Sequence, residues 1–399
     1  MTKKRFLYAA VGFLLMIFLG LIYGWSVFVA PLEEEFGWSR ADTTLVFTIS
    51  MITFCFGSIL GGALNRSNDG RLLLFVVAIL EFVGFYMCSK VTQINELYLY
   101  YGLICGFATG IGYNTVISMV TTWFQNSLGV ISGILMMGYG LGAFILGSVV
   151  SAITEAIGWR QTFQILAFLF VGILLLSTFV LRKNREQMEA SLEDNTKSYT
   201  PLEMLKSPIF LKTFLWGTLI CSVGMIVISN ASPFAVAFGA SKIMAVIAVG
   251  CVSITNGVGR IISGILLDVI GKEKTMVLST VCALLSTILL ILGSQFSLLY
   301  LILIGYIFSS FSYSIIAPFS TVFAKTVFGQ KYYTTNFSIF SSVGIPASMI
   351  GSYCIGVILT KTNSYFWCFV VDLIYAILAC ILCIKIVRTE KKVIAYTTT

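Results

Sequence analysis

The sequence predicts an all-α integral membrane protein, with twelve transmembrane helices in two six-helix bundles. Three observations predict it. The chain is 58% hydrophobic and 11% charged over 399 residues, and its mean hydropathy of +0.96 is far too high for a soluble globule. Its apolar residues come in runs that can cross the hydrocarbon as helices, which takes about 20 residues each. One polar stretch, 182–209, divides these runs six and six.

In chain order the spans are 6–31, 41–64, 72–94, 97–122, 129–153, 161–181, 210–238, 243–267, 275–293, 297–323, 333–360 and 365–387. The first follows a basic start, Lys3, Lys4 and Arg5, but is longer than a signal-peptide core and lacks a small-residue cleavage site, so it reads as a retained helix. The fourth carries Gly106, Gly110 and Gly112, and the fifth carries Gly133, Gly138, Gly140, Gly142 and Gly147. Small residues at these spacings let backbones approach closely, either for tight packing alone or for bundles that rock on one another. The stretch after the sixth span mixes acids and bases and ends near Pro201 and Pro208. It reads as a linker over 182–209 between bundles at 1–181 and 210–399. A short motif repeats across the halves: Gly61-x-x-x-Asn65-Arg66 after the second span, and Gly264-x-x-x-Asp268-x-x-Gly271-Lys272 after the eighth. Parallel halves of this kind are a known transporter architecture, with substrate bound near the midplane between them.

Orientation follows from Lys and Arg, which short loops retain on the cytoplasmic side. With the N-terminus inside, Arg40, Lys90, Arg160, Lys242 and Lys361 are the only bases on the far side, Arg260 lies within a span, and the other nineteen of the 25 are cytoplasmic. Both termini are therefore expected in the cytoplasm. The net charge of +8 reflects this bias and not nucleic-acid binding. The ten Cys fall in apolar spans, where they behave as small hydrophobes. Cys380 and Cys383 have the C-x-x-C spacing, but no other Cys neighbours them and the chain has no His. No metal or cofactor is expected. With no Walker A loop and no nucleophile, base and acid set, the chain reads as neither an ATP-driven pump nor an enzyme.

Arg260 is the most informative residue. It sits roughly 12 Å inside the eighth span if Asp268 marks the helix end, eight residues away at 1.5 Å each. A charge at that depth costs at least about 2.5 kcal/mol, so it persists where it meets a polar space and a counter-charge. Ser253, Asn256, Arg260 and Ser263 are spaced 3, 4 and 3 and share one helix face. The guanidinium is a planar fork that matches a carboxylate. The alternative is a buried ion pair with Glu81 or Asp372, the acids within spans. Glu81, on the third span, is a candidate for proton coupling or a structural group. Tyr23, Tyr113 and Tyr313 sit at depth, where a phenol needs a partner: a substrate carboxylate or a backbone carbonyl.

These residues resemble a family. Tyr23-Gly-Trp-Ser-Val-Phe28 with Pro31, Gly110-Ile-Gly-Tyr113 leading to Trp123-Phe124, the fifth-span glycines, Gly158-Trp-Arg160, and Asn256-Gly-Val-Gly-Arg260 with Gly264 and Asp268 are similar to the oxalate/formate antiporter family. That family is part of the major facilitator superfamily and is related to the monocarboxylate transporters. The resemblance implies the major facilitator fold, alternating access and carboxylate transport without ATP. It assigns Arg260, Tyr113, and more loosely Tyr23 and Tyr313, to the substrate, and Asp268, Asn65 and Arg66 to a gating motif. Two departures matter. Oxalate carriers of the family add a lysine in the eleventh helix, whereas 332–360 here holds no Lys or Arg, the matching position being Val343 or Gly344. One cation suits a monocarboxylate. Proton-coupled monocarboxylate transporters place an aspartate four residues before the arginine, where this chain has Asn256. The first motif copy also has Asn65 where an aspartate is usual.

The function expected is secondary transport of small organic monoanions such as formate, lactate or pyruvate, with Arg260 and Asn256 at the substrate. The expected setting is a bacterial plasma membrane, and the expected state a monomer. Two alternatives remain: an exporter of neutral or cationic compounds in which Arg260 is structural, and a carboxylate sensor that does not transport. A sensor would normally carry a signalling extension, and the longest loop here is the linker.

Overall fold

The computed structural model describes residues 2–65, 69–184, 198–353, 358, 361–362 and 364–397. Helix α1 (Lys4–Phe36) contains a 3-10 stretch, Gly20–Trp25. Helix α2 (Arg40–Leu64) starts from a capping box in which Ser39 and Asp42 satisfy each other's backbone amides. Helix α3 (Arg71–Cys88) precedes α4 (Ile94–Thr121), which passes through a π-helical stretch at Tyr98–Cys105. Helices α5 (Leu128–Ile157) and α6 (Trp159–Val180) meet at Gly158. Helix α7 (Pro208–Ala237) opens on a proline, whose missing N–H costs nothing in a first turn.

The helical run Lys242–Gln295 is two crossings and not one, because Gly271 inside it has φ 83° and ψ 168°. Few residues other than glycine adopt that conformation. It separates α8 (242–270) from α9 (272–295). Helix α10 is Leu299–Phe328 and α12 is Tyr365–Thr397. Helix α12 runs ten residues beyond its predicted end, and α11 departs from its predicted span in kind. Instead of a continuous helix it runs as Tyr333–Ser341, Gly344–Ser348 and a π-helical stretch Met349–Tyr353. Pro346 accounts for the break, since a proline ring collides with the carbonyl four residues earlier, that of Ser342.

The described residues form two compact units: Met1–Thr200 with Ala324–Ile339, and Pro201–Phe323 with Phe340–Thr399. The first turns of α11 thus pack with helices of the first half of the chain. In that unit, glycines set how closely helices cross. A Cβ on Gly110 of α4 would lie 2.8 Å from the Ser58 backbone nitrogen, and one on Gly61 of α2 would lie 3.0 Å from Ile111 Cα. Likewise, a Cβ on Gly142 of α5 would stand 2.6 Å from the Gly20 backbone of α1. No side chain fits at these crossings, so backbone dispersion replaces side-chain packing.

Buried polar groups find partners between helices. In the first unit the Tyr101 hydroxyl donates to the Ile22 carbonyl at 3.1 Å, and Phe28 stacks on Phe163 at 4.1 Å. In the second, Trp216 Nε1 donates to Thr280 at 2.9 Å and the Tyr306 hydroxyl to the Ala231 carbonyl at 3.0 Å. Large apolar side chains such as Phe144, Leu176 and Phe179 point outward. In hydrocarbon that exposure costs nothing, which is why composition alone reads this chain as a membrane protein.

The chain leaving α6 is pinned to two loops. Arg71 Nε donates to the Leu181 carbonyl at 3.4 Å, Trp123 Nε1 to the Arg182 carbonyl at 2.7 Å, and the Asn184 amide to Thr122 Oγ1 at 3.1 Å. Lys183 is buried and donates to the Asn65 carbonyl. Burial pushes its ammonium down to about 8, with Asp69 opposing.

Two predictions follow from these contacts. Gly110→Leu should lower the melting temperature of the detergent-purified protein, because overpacking costs about 1–3 kcal/mol. Gly147→Ala, where a Cβ meets nothing within 4 Å, should leave it unchanged. For Lys183, the fold holds fewer protons than the unfolded chain between about 8 and the ordinary lysine value of 10.5. Stability therefore rises with pH across that window. Melting curves of wild type should show this rise relative to Lys183→Met; parallel curves would refute it.

Candidate functional site

Of the four polar residues that the spacing puts on one face of the eighth helix, Ser253 is exposed. Ile254, Val258, Ile262 and Ile265 are exposed on one side of α8, as lipid-facing side chains would be. At 100° per residue, Asn256, Arg260 and Ser263 lie on the opposite side. Ser263 is buried, and Asn256 and Arg260 are half-buried. Next to Arg260, a Cβ on Gly259 would lie 2.9 Å from Ser314 Cβ of α10, so the arginine's turn is held against that helix. Cys221 of α7 lies within electrostatic reach of the guanidinium. The side-chain oxygen of Asn256 is buried and receives no hydrogen bond. Tyr313 of α10 packs on Gly224 of α7, where a Cβ would stand 2.8 Å from its ring. Arg260, Asn256 and Tyr313 therefore share the second unit, on α8 and α10.

Neither intramembrane acid pairs with Arg260. Glu81 Oε1 accepts from Thr109 Oγ1 of α4 at 2.7 Å, and its other oxygen and both oxygens of Asp372 are buried without a hydrogen bond.

Tyr23 and Tyr113 belong to the first unit, where a residue not singled out in the sequence joins them. Tyr139 of α5 meets Tyr23 edge-on at 5.3 Å and Tyr113 at 4.8 Å. Phe54 of α2 completes the group, 5.4 Å from Tyr113 and 5.8 Å from Tyr139. Tyr139 and Tyr113 are buried while Tyr23 is 43% exposed, so the aromatic group has one open side. Its position between Gly138 and Gly140 was the available signal for Tyr139: the glycines bring α1 against α5 and leave the ring as the only bulk at that level. Thr109 was equally illegible, because its pairing with Glu81 joins two helices.

Of the motif residues, Asn65 is buried and donates from Nδ2 to the Gly61 carbonyl and to Thr115 Oγ1, each at 2.8 Å. Asp268 is exposed near the end of α8. Arg66 lies outside the described residues.

A Major Facilitator Superfamily model matches residues 9–352 and, in a second overlapping match, 224–396. The chain belongs to the Major Facilitator Superfamily. Solved members share its fold. The proton:xylose symporter XylE superposes with a TM-score of 0.71 at 17% identity, covering 96% of this chain and 95% of that one. FucP gives 0.69 at 15% identity, covering 96% and 98%. Among curated relatives, the oxalate:formate antiporter of Oxalobacter formigenes is 26% identical over 359 residues, 87% of this chain and 83% of its own length. Monocarboxylate transporter 12 of Homo sapiens is 25% identical over 199 residues, 49% and 39% of the two chains. This superfamily protein is accordingly a multi-pass membrane transporter with a small-molecule substrate, and not an enzyme.

Within the transporter, Thr109→Val should lower stability by about 1–3 kcal/mol, since it strips a buried carboxyl of its donor. In a Glu81→Leu background the same change should cost much less. Equal losses in both backgrounds, read from denaturation of the purified protein, would show that the Thr109 bond does not support Glu81.

Proposed function

We propose that this transporter carries small organic monoanions of the formate, lactate and pyruvate type by alternating access, with Arg260 binding the carboxylate. The observation that carries the reading is the place of Arg260 on the face of α8 opposite its exposed apolar side. A guanidinium held inside a membrane protein away from lipid, beside the unsatisfied Asn256 oxygen, suits a substrate that brings both negative charge and hydrogen bonds. Tyr313, in the same unit as Arg260, is a candidate hydroxyl donor to the anion, and Tyr23, Tyr113 and Tyr139 are candidate substrate contacts within the first unit. The oxalate:formate antiporter and the monocarboxylate transporters are carboxylate carriers by name, which supports the same class. With no Lys or Arg over 332–360, no other cation lies as deep within a span as Arg260, which favours one carboxylate over two.

The protein works as a monomer in the plasma membrane with both termini cytoplasmic, in keeping with the charge bias. Its bundles are 1–181 and 210–399, joined by the linker 182–209. Glu81 is the candidate for coupling to protons, and Asn65, Arg66 and Asp268 the candidates for gating between the bundles.

Thermal stabilisation of the purified protein by formate, acetate, lactate, pyruvate, oxalate and malonate tests the reading. A monoanion at a hundredfold excess over its Kd should stabilise by about 2.7 kcal/mol, and Arg260→Gln should abolish the shift without loss of folded protein. Stabilisation by neutral or cationic compounds instead, or full uptake by Arg260→Gln, would overturn it.

A further inference from the structure

Two consecutive residues of α4 connect the aromatic group to the start of α11, and the next, Thr115, bonds to Asn65. Tyr113 lies 6.4 Å from Phe337, with the two rings nearly parallel at 21°. Asn114, fully buried, donates from Nδ2 to Ser338 Oγ and to the Thr334 carbonyl at 3.3 Å. Thr115 accepts from Asn65 Nδ2 at 2.8 Å. Thr334 Oγ1 then donates to the Gly62 carbonyl of α2 at 2.6 Å. Gly62 leaves no room for a side chain, since a Cβ there would lie 2.6 Å from the Thr334 oxygen and 2.7 Å from Ser338 Oγ. Further along, Asn336 Nδ2 donates to the Tyr199 carbonyl at 3.0 Å, beside the linker. All these residues belong to the first unit.

Resting on the reading above, in which Tyr113 lines the substrate site, we propose that Asn114 is a positioning residue for transport. It holds the turn 334–338 of α11 to α4 one residue away from Tyr113, and so sets how fast the loaded carrier turns over and not how tightly it binds. The physical reason is the position of this segment. It follows α10 in the chain, yet beside the buried Phe337 ring its polar side chains are hydrogen-bonded to helices of the other half. Such bonds contribute modestly when made and can be exchanged one at a time, which suits a contact that must break in each cycle. A shift of the Tyr113 ring on substrate binding moves both contacts of the same helical turn, Phe337 through the ring and Ser338 through Asn114.

The test uses the full chain with Asn114→Ala, Ser338→Ala and the double substitution, and Asn114→Ser as a milder form if the alanine variant does not fold. Hydrogen–deuterium exchange over 330–342, without substrate, should quicken about fivefold or more in Asn114→Ala, less in Ser338→Ala, and no further in the double than in Asn114→Ala, because the bond to Ser338 is one of the two that Asn114 makes to the segment. Peptides of α7 to α9 should not change. In proteoliposomes, formate counterflow should change several-fold in maximal rate with half-saturation held within about twofold. Unchanged exchange over 330–342, additive effects in the double variant, or a shift in half-saturation at constant maximal rate would each overturn the role of Asn114. If wild type shows no formate counterflow, the carboxylate reading fails while the exchange measurement still decides the latch.

Discussion

Hydrocarbon offers no hydrogen-bond partner to an amide or a hydroxyl, so every polar group of this chain must be satisfied from within. The twelve crossings are helices for that reason, and the same constraint shapes what lies between them. Ser and Thr side chains of the second unit bond to neighbouring helices, as Ser309 does to the Val223 carbonyl at 3.1 Å. Where glycine brings backbones together, as at Gly57 and Gly61 against α4, contact is made without side chains and any polar residue nearby is forced into a specific partnership. The Glu81 and Thr109 pair and the Asn65 and Thr115 pair both arise in this way.

The residues proposed for the substrate stand on inner helix faces. Arg260 is kept on the inner face of α8 without either intramembrane acid as its partner. The Asn256 oxygen one turn away is buried and unsatisfied. The aromatic group of Tyr23, Tyr113, Tyr139 and Phe54 adds a surface of the other kind: rings on four helices, three of them with polar tips.

Transport also needs contacts that can break. The glycine crossings of α2 with α4 and of α1 with α5 are continuous backbone contacts that act as rigid joints. The start of α11 is fastened differently, through Asn114, Thr334, Ser338 and Asn336, each by one or two hydrogen bonds. Its helix is interrupted at Ser342 and Val343 by the Pro346 ring, so the fastened turns are separated from the remainder of α11 by a natural hinge. Stiff joints and a replaceable latch coexist in one unit because glycine and polar residues alternate along α2 and α4.

How much of this was legible in the residues depends on the distance over which each signal acts. Periodicity and hydropathy are local, so the crossings, the break near Gly271 and the polar stripe of Asn256, Arg260 and Ser263 could be read from the chain. The depth of Arg260 followed from counting residues along a helix of known rise. Tyr139, Thr109 and Asn114 were not legible, since each owes its place to a residue on another helix: Tyr23, Glu81 and Ser338. The interruption of α11 was hidden because an apolar run looks the same whether or not Pro346 breaks it. The sequence by itself determined that this is a twelve-helix membrane transporter with one deep cation, because the bilayer acts on each segment separately. Only the tertiary structure decided which polar groups meet across helices, and that the first turns of α11 join the helices of the opposite half, because those choices depend on backbone approach between segments far apart in the chain.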